Sequence, residues 1–541
     1  MTAPGVQINL VDQSSYIPSG ASVYAGIVGD FKKGPLVPTL CTSQAQFLRW
    51  FAPDEKPKTG YDQAYYSALD YLADADALWV VRAVSTTTPP LYGGATIMVS
   101  DSETETTAWA QGKANPELMD FAQNELIAIY GANQGAWVND IYISIVTDTD
   151  EVGLPGAFII NVFKAIPGTQ EFTRVESHLV SRDPDMVDGY GANIYLENVI
   201  NGNSNYIAVL NNDIAGKAAM PKAIDRPKYV NNEFVGLRLS GGTDGDAITS
   251  ADRQTALQKL GNPDELSLQL LLNGGESNPA FCKAMLSLCK NDRKEETFAI
   301  LTTNAADEKG QDAITKLVKY RKESLNANSY HGSLYTPHVK YYDRFNDRYF
   351  FASPDGMVAN KINAAIRDYG YNFPAAGYIR GQLETALDVQ NKFLPGELNT
   401  LSDNQINAIK NDPGRGIVIF DNQTLYASKS DLQDQNNMIC VNLQIRPRLR
   451  DFLKDYLFDL NDEVTRSIIV AKIDLFMKDV KAQRGVSDYL VVCDSTNNSP
   501  NDVQAGILNI DLYLKMIKSI KFIKQGLIVT SQGLDFSQLV A

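Results

Sequence analysis

The 541 residues are 44% hydrophobic and 21% charged, with a formal net charge of -15 at pH 7. That apolar content supports two to four packed cores and excludes a disordered chain. The acidic balance argues against a nucleic-acid partner, which favours a basic face. No run reaches the roughly 18 apolar residues of a membrane span, and the first thirty residues lack the basic start and apolar centre of a secretory leader. Five scattered cysteines, Cys41, Cys282, Cys289, Cys440 and Cys493, read as free thiols of a reducing compartment. The charge is uneven. From residue 441 onward there are 13 Lys+Arg against 12 Asp+Glu, a net of +1, which leaves -16 for the first 440 residues. This split suggests that the C-terminal part meets an acidic partner, and a charge-balanced helical domain gives the same split.

The chain opens with "PGVQINLVDQS", where Val6, Ile8 and Leu10 alternate with polar residues at strand spacing before Pro18 stops the pattern. Between residues 40 and 88 the order is helix ("SQAQFLRWF"), helix ("YDQAYYSALDYLADA") and strand ("DALWVVRAV"), ended by "STTTPP". From about 95 to 230 short alternating runs such as "DIYISIV", "AFIINVFKA" and "EFTRVESHLVS" predict a mostly β insert, a small barrel or sandwich. After "GLRLSGGTDG" helices and strands alternate again, with "LSLQLLLNGG", "ETFAILTTN" and "GSLYTPHVKYYD" as strands of a buried α/β layer, so the insert interrupts one α/β domain. Near the end, Leu449, Phe452, Leu453, Tyr456 and Leu457 form one helical stripe, and Val464, Ile468, Ala471 and Leu475 form a second after the "NDE" start. "YLVVCD" and "GILNIDLYLKM" read as strands, the latter with Leu508, Ile510, Leu512, Leu514 and Met516 on one side.

The tests for chemistry are negative. His178, His331 and His338 are the only histidines, and no GxSxG elbow presents a serine to them. The spacing of His331 and His338 with Asp343 and Asp347 matches no metal motif. "GDFKKGPL" has Pro35 and Leu36 where a phosphate loop needs Lys and Ser or Thr, and so reads as a turn. "GYGANI" carries Ile194 in place of the third glycine of a dinucleotide fingerprint. "DTDEVG" lacks the later ligands of a calcium loop. Lys515, Lys518, Lys521 and Lys524 form a basic ladder, read as a solvated face. The sequence therefore carries no catalytic residue, cofactor site or metal site, and the chain reads as a non-enzyme.

Several stretches, in order, resemble the contractile tail sheath proteins of long-tailed, myovirus-type bacteriophages. The most specific is "VSRDPDMVDGYGANIYLENVINGNSNYI", residues 180 to 207. "PGVQINLVDQS" is similar to the opening arm of that family. "AGIVGDFKKGPLVPTLCTSQAQFLRWF", "LSGGTDG", "FDLNDEVTRSIIVAKIDLFMKDVKAQRGV" and "YLVVCDSTNNSPNDVQAGILNIDLYL" are similar to later segments. "FPAAGYIRGQL" and "GRGIVIFDNQTL" match less well, with Phe373 where the family has Trp, and "IKFIKQGLIVTSQG" resembles the closing arm.

The resemblance implies a multidomain α/β and α+β fold. It places an N-terminal arm at 1–20, an α/β middle domain at 21–92 and 232–430, an outer β-rich insert at 93–231, an inner α+β domain facing the tube at 431–518, and a C-terminal arm at 519–541. It implies a structural subunit of stacked hexameric rings around a tail tube, whose contraction drives the tube through the host envelope. The partners it implies are further copies of the chain, the tail tube, and baseplate and terminator proteins, with no nucleic acid and no membrane insertion. The chain would be assembled in the bacterial cytoplasm and belong to the virion tail. Val6, Ile8, Leu10, Ile520, Phe522, Leu527 and Val529 would form arms that add strands to a neighbour's inner sheet, built on Leu508, Ile510, Leu512 and Leu514. Arg446, Arg448, Lys472, Lys478, Lys481 and Arg484 would meet acidic groups of the tube. The alternatives are the sheath of a bacteriocin particle or secretion system, and an α/β hydrolase dependent on His331 or His338.

Overall fold

A computed structural model describes residues 23–525, apart from 58, 59, 61, 76, 103, 105, 109–120, 123, 214, 215, 217, 218, 371, 429–433 and 522. The chain starts a large sheet with β1 (Ala25–Gly29), β2 (Thr39–Cys41) and β3 (Leu78–Arg82). It then leaves to build β4 (Gly94–Met98), β5 (Thr106–Ala108), β6 (Glu125–Gly131), β7 (Ile141–Val146), β8 (Ala157–Ala165), β9 (Phe172–Ser181), β10 (Ile207–Asn211), a hairpin of β11 (Lys228–Val230) and β12 (Glu233–Val235), and β13 (Leu237–Arg238). It returns with β14 (Leu270–Leu272), β15 (Phe298–Thr302) and β16 (Gly332–Thr336). A side sheet uses β17 (Val339–Asp343), β18 (Arg348–Ala352) and β19 (Asp388–Val389), and β20 (Ile406–Asp412) and β21 (Gly416–Ile419) complete the large sheet. Last come β22 (Asp488–Val492) and β23 (Asp511–Lys515).

The large sheet has the order β2-β3-β1-β14-β15-β16-β20-β21, parallel from β3 to β20 with an antiparallel strand at each edge. Its strands are apolar on both sides because helices cover both faces. Ile27, Leu270, Leu272, Phe298 and Ile300 face a core shared with helices Gln44–Phe51, Asp62–Tyr71, Asp355–Tyr369, Asn436–Lys454 and Glu463–Ala482. Val28, Leu271, Ala299 and Leu301 face a second core with helices Ser250–Gln258, Pro279–Ser287, Ala313–Lys319 and Pro395–Asp403. Helix Asp355–Tyr369 meets helix Asp62–Tyr71 so closely that a Cβ on Gly356 would lie 2.1 Å from the Ser67 carbonyl oxygen, so only glycine fits. The buried Asp355 carboxylate fixes the crossing by accepting from Ser67 Oγ at 2.6 Å and Gly274 N at 2.8 Å.

Eight of the ten strands between Gly94 and Arg238, all but the β11–β12 hairpin, form two four-stranded sheets, β10-β6-β4-β5 and β13-β7-β8-β9, which share one core. This is a sandwich, one of the two forms the alternating pattern allowed. The "SRDPD" stretch has a structural role here. Arg182 is buried and donates to Asn211 Oδ1, Asn212 O, Gly216 O and Ala219 O, tying β9 to the loop after β10. "GDFKKGPL" is indeed a loop, and its Lys33 is buried where the sandwich meets the large sheet. Lys33 Nζ donates to Arg49 O at 2.9 Å and lies 4.8 Å and 4.6 Å from the rings of Trp137 and Tyr206. Burial pulls its ammonium down to about 7. The rings and the carbonyl favour the charged form.

The helical stripe read from Val464, Ile468, Ala471 and Leu475 is the wrong face. All four are exposed, and Ile469, Ile473, Phe476, Met477 and Val480 enter the core instead. The earlier stripe holds as far as Tyr456: Phe452 is buried, Leu449, Leu453 and Tyr456 pack against it, and Leu457 is exposed.

Candidate assembly surface

The C-terminal strands β22 and β23 form a two-stranded antiparallel sheet, with Asp488 opposite Lys515 and Val492 opposite Asp511. A tight local network sets their register. Asn498 and Asn509 exchange Asn498 Nδ2 to Asn509 O at 2.9 Å and Asn509 N to Asn498 Oδ1 at 2.7 Å, while Asn497 Nδ2 donates to Val492 O at 2.9 Å. The intervening helix Pro500–Gln504 starts with a Ser499–Asp502 capping box. These bonds explain why "DSTNNSPNDVQ" is rich in asparagine and turn residues.

The sheet has a covered face and a bare one. Tyr489, Val491, Leu512 and Leu514 pack against the core, with Tyr489 Oη donating to Asp474 Oδ1 at 2.7 Å on helix Glu463–Ala482. On the other face Leu490 is 58% and Tyr513 59% exposed. Among the described residues each strand pairs only with the other, so each has an unpaired outer edge. A two-stranded sheet is marginal by itself and gains from a third strand.

Of the predicted arm residues, Val6, Ile8, Leu10, Phe522, Leu527 and Val529 lie outside the described residues, and Ile520 is exposed in non-regular chain. Of the predicted inner-sheet residues, Leu512 and Leu514 are in β23. Leu508 and Ile510 pack on the same core but precede the strand, because the Asn497, Asn498 and Asn509 bonds hold that stretch as a loop.

The six predicted tube-contact cations all have intrachain contacts. Arg446 pairs with Glu295 at 2.6 Å, Lys478 with Asp474 at 2.8 Å and Lys481 with Asp488 at 2.8 Å. Arg448 donates to Gln444 Oε1 at 3.1 Å, Lys472 lies 5.5 Å from the Tyr456 ring, and Arg484 lies 5.4 Å from the Phe373 ring. Three pair with acids of this chain, which reduces the charge they offer to another. The basic ladder is only partly a solvated face. Lys518 pairs with Asp434 at 3.1 Å and Lys521 with Asp421 at 3.3 Å, while Ser519 N donates to Gln435 Oε1 at 3.0 Å. Residues 517–521 are thereby clasped to the body. The three-residue lysine spacing was the only sequence signal for this clasp, since its acids lie 84 and 100 residues away.

The histidines are packed, not presented. His338 Nδ1 lies 2.8 Å from Glu308 Oε1 in full burial, His178 pairs with Glu176 at 3.1 Å, and burial pulls His331 down to about 4. Among the described residues no cluster of three or more His, Cys, Asp or Glu is arranged to hold a metal, and no helix is long and apolar enough to cross a membrane. All five cysteines are free and buried.

Comparisons with known proteins converge on this region and extend beyond it. Residues 428–527 match the phage tail sheath C-terminal domain. The tail sheath protein of Enterobacteria phage T4 is 26% identical over 393 residues, covering 68% of this chain and 55% of its own length. The chain thus spans about half the length of that curated relative. Among solved structures, the sheath tail protein of Listeria innocua superposes with a TM-score of 0.57 at 12% identity, covering 92% of this chain and 96% of its own. The helical sheath of the anti-feeding prophage in its contracted state gives a TM-score of 0.52 at 11% identity, covering 98% and 99%.

Proposed function

We propose that this chain, a relative of the contractile tail sheath proteins of phages, is the polymerising subunit of such a sheath. Its relatives are structural proteins and not enzymes. The subunits would stack as hexameric rings around a tail tube, joined to baseplate and terminator proteins, and contract to drive the tube through the host envelope. They would be assembled in the bacterial cytoplasm and end in the virion tail.

One observation carries the reading: the β22–β23 sheet has two unpaired edges among the described residues and a half-exposed apolar face. Arms at residues 1–20 and 519–541, with Val6, Ile8, Leu10, Ile520, Phe522, Leu527 and Val529 as the residues that add to the sheet, would complete it from neighbouring subunits. The clasp at Lys518 and Lys521 holds the first residues of the 519–541 arm on their own subunit, so the reach to a neighbour would begin beyond residue 521. Contraction is then a switch between two packings of rigid bodies that stay linked through their arms. Each subunit supplies on the order of a few kcal/mol, summed over the array, so no chemical fuel is required. Arg446, Arg448, Lys472, Lys478, Lys481 and Arg484 remain the proposed tube contacts, acting after exchange of their intrachain partners.

Deleting residues 1–16 tests the reading. Negative-stain microscopy of the full chain should show hollow striated tubes, and the deletion should give folded subunits without tubes. Tubes unaffected by the deletion would remove the arm mechanism, and dispersed particles under all conditions would remove the sheath reading itself.

A further inference from the structure

The turn between the two C-terminal helices carries apolar side chains that the subunit does not cover. Leu457, Phe458 and Leu460 are exposed there, and Val464 continues them onto the next helix. The turn is well defined by backbone bonds from Leu457 N to Lys454 O at 3.2 Å and from Asp459 N to Tyr456 O at 3.2 Å, and Asn461 Nδ2 donates to Ile507 O at 2.9 Å. Within it Phe458 sits at φ +74° with its side chain fully exposed. That backbone region penalises a bulky residue, and the ring gains no packing in return. Asp455, Asp459 and Asp462 make the turn acidic.

A complementary surface lies on the β17–β18 hairpin of the side sheet. Tyr342 and Tyr349 are cross-strand partners with rings 5.2 Å apart, and both are exposed together with Phe351. Lys340 Nζ lies 5.1 Å from the Tyr349 ring, and the Arg344 guanidinium lies 4.9 Å from the Phe345 ring and donates to Gln44 Oε1 at 3.2 Å. These two cations lean on rings and an amide instead of carboxylates. The hairpin is thus aromatic and offers the cations Lys340 and Arg344, although Asp347 accepts from Tyr342 Oη at 2.9 Å and Arg348 pairs with Asp343 at 3.1 Å, whereas the turn is apolar and acidic.

We propose that the Phe458 turn docks on the β17–β18 hairpin of a second copy of this chain. The inference rests on the reading above that the chain assembles with itself, and names one of its interfaces. Because turn and hairpin are different patches, the contact is heterologous, and repeating it produces an open array instead of a closed dimer. Aromatic anchors of this kind dominate interface energy, and complementary charge sets register and encounter rate.

The test uses the full chain with a photoreactive residue at position 458, mixing isotopically labelled and unlabelled subunits. The expected product is an intermolecular crosslink to residues 339–352. Capture of another surface, capture of co-purified tube protein, or no intermolecular crosslink would overturn the proposal. If tubes form without the crosslink, the sheath reading survives and this interface does not; absence of tubes and of the crosslink removes both. Phe458→Gly provides a second measure. Glycine accepts the positive φ, so the thermal midpoint should stay or rise, while the concentration needed for assembly rises about 30-fold. A lowered midpoint with unchanged assembly would make Phe458 merely structural and end the proposal. Lys340→Glu and Asp459→Lys should each weaken assembly and together restore it, and failure of that rescue counts against the pairing.

Discussion

The large sheet and the C-terminal sheet use similar residues to opposite ends. In the large sheet, Ile27, Leu271 and Ile300 are fully enclosed, and each interior strand has a partner on both sides. In the C-terminal sheet two strands share one ladder, and Leu490 and Tyr513 stand in solvent. The first is a finished core that depends on nothing outside the chain. Among the described residues the second leaves apolar area exposed and its outer strand edges unpaired, which is where strand addition can gain free energy.

Substitutions can sharpen this contrast, beginning with the finished parts. Arg182→Ala should be among the largest effects on stability, roughly 3 kcal/mol, because it leaves carbonyls at Asn212, Gly216 and Ala219 without their donor. Chemical denaturation of the full chain checks it, and a loss under about 1 kcal/mol would show that water replaces the guanidinium.

Two isoleucines on one helix provide an internal comparison. Ile473→Ala should cost about 2–4 kcal/mol, since Ile473 is buried in the core. Ile468→Ala should change stability by no more than about 0.5 kcal/mol, since Ile468 faces solvent. Equal effects at both positions would contradict the observed orientation of helix Glu463–Ala482.

His331 gives a pH test of intermediate size. Its pKa is lowered from 6.5 to about 4, chiefly by burial, so the unfolded chain binds the extra proton between those values. Its contribution is complete above pH 6.5 and is lost as pH falls toward 4, by at most about 3 kcal/mol. Denaturation midpoints of His331→Phe across that window should show a shallower decline than those of the parent chain.

The smallest expected effect on the subunit comes from the clasp. Lys521→Gln removes the pair with Asp421, whose Lys521 side chain is partly exposed, and should cost about 0.5 kcal/mol or less. Hydrogen exchange at residues 517–521 should nevertheless rise. If exchange there is unchanged, the Ser519 and Asn372 hydrogen bonds hold the segment without the ion pair.

Much of this architecture was legible in the residues because it rests on short-range periodicity. Alternation in "DIYISIV" and "AFIINVFKA" reports strands, but it understates their burial: Tyr142 and Phe163 on the second face are covered too, in a small cluster with Phe172, while the return to helix and strand after "GLRLSGGTDG" reports the buried α/β layer. The helix at Glu463–Ala482 shows the limit. Its residues 464, 468, 471 and 475 keep the same spacing as 469, 473, 476 and 480, and both sets are apolar. Periodicity establishes that a helix is amphipathic but does not choose between two apolar stripes.

The sequence by itself determined most of the helices and strands among the described residues and the buried α/β layer they build, because each depends on neighbours within a few residues. Tertiary structure alone decided which stripe of the last helix is covered, where Lys518 and Lys521 are clasped, that Lys33 plugs the joint between sandwich and large sheet, and that Phe458 points into solvent. Those outcomes depend on partners distant in sequence, and the free energy that selects them appears only when the surfaces meet.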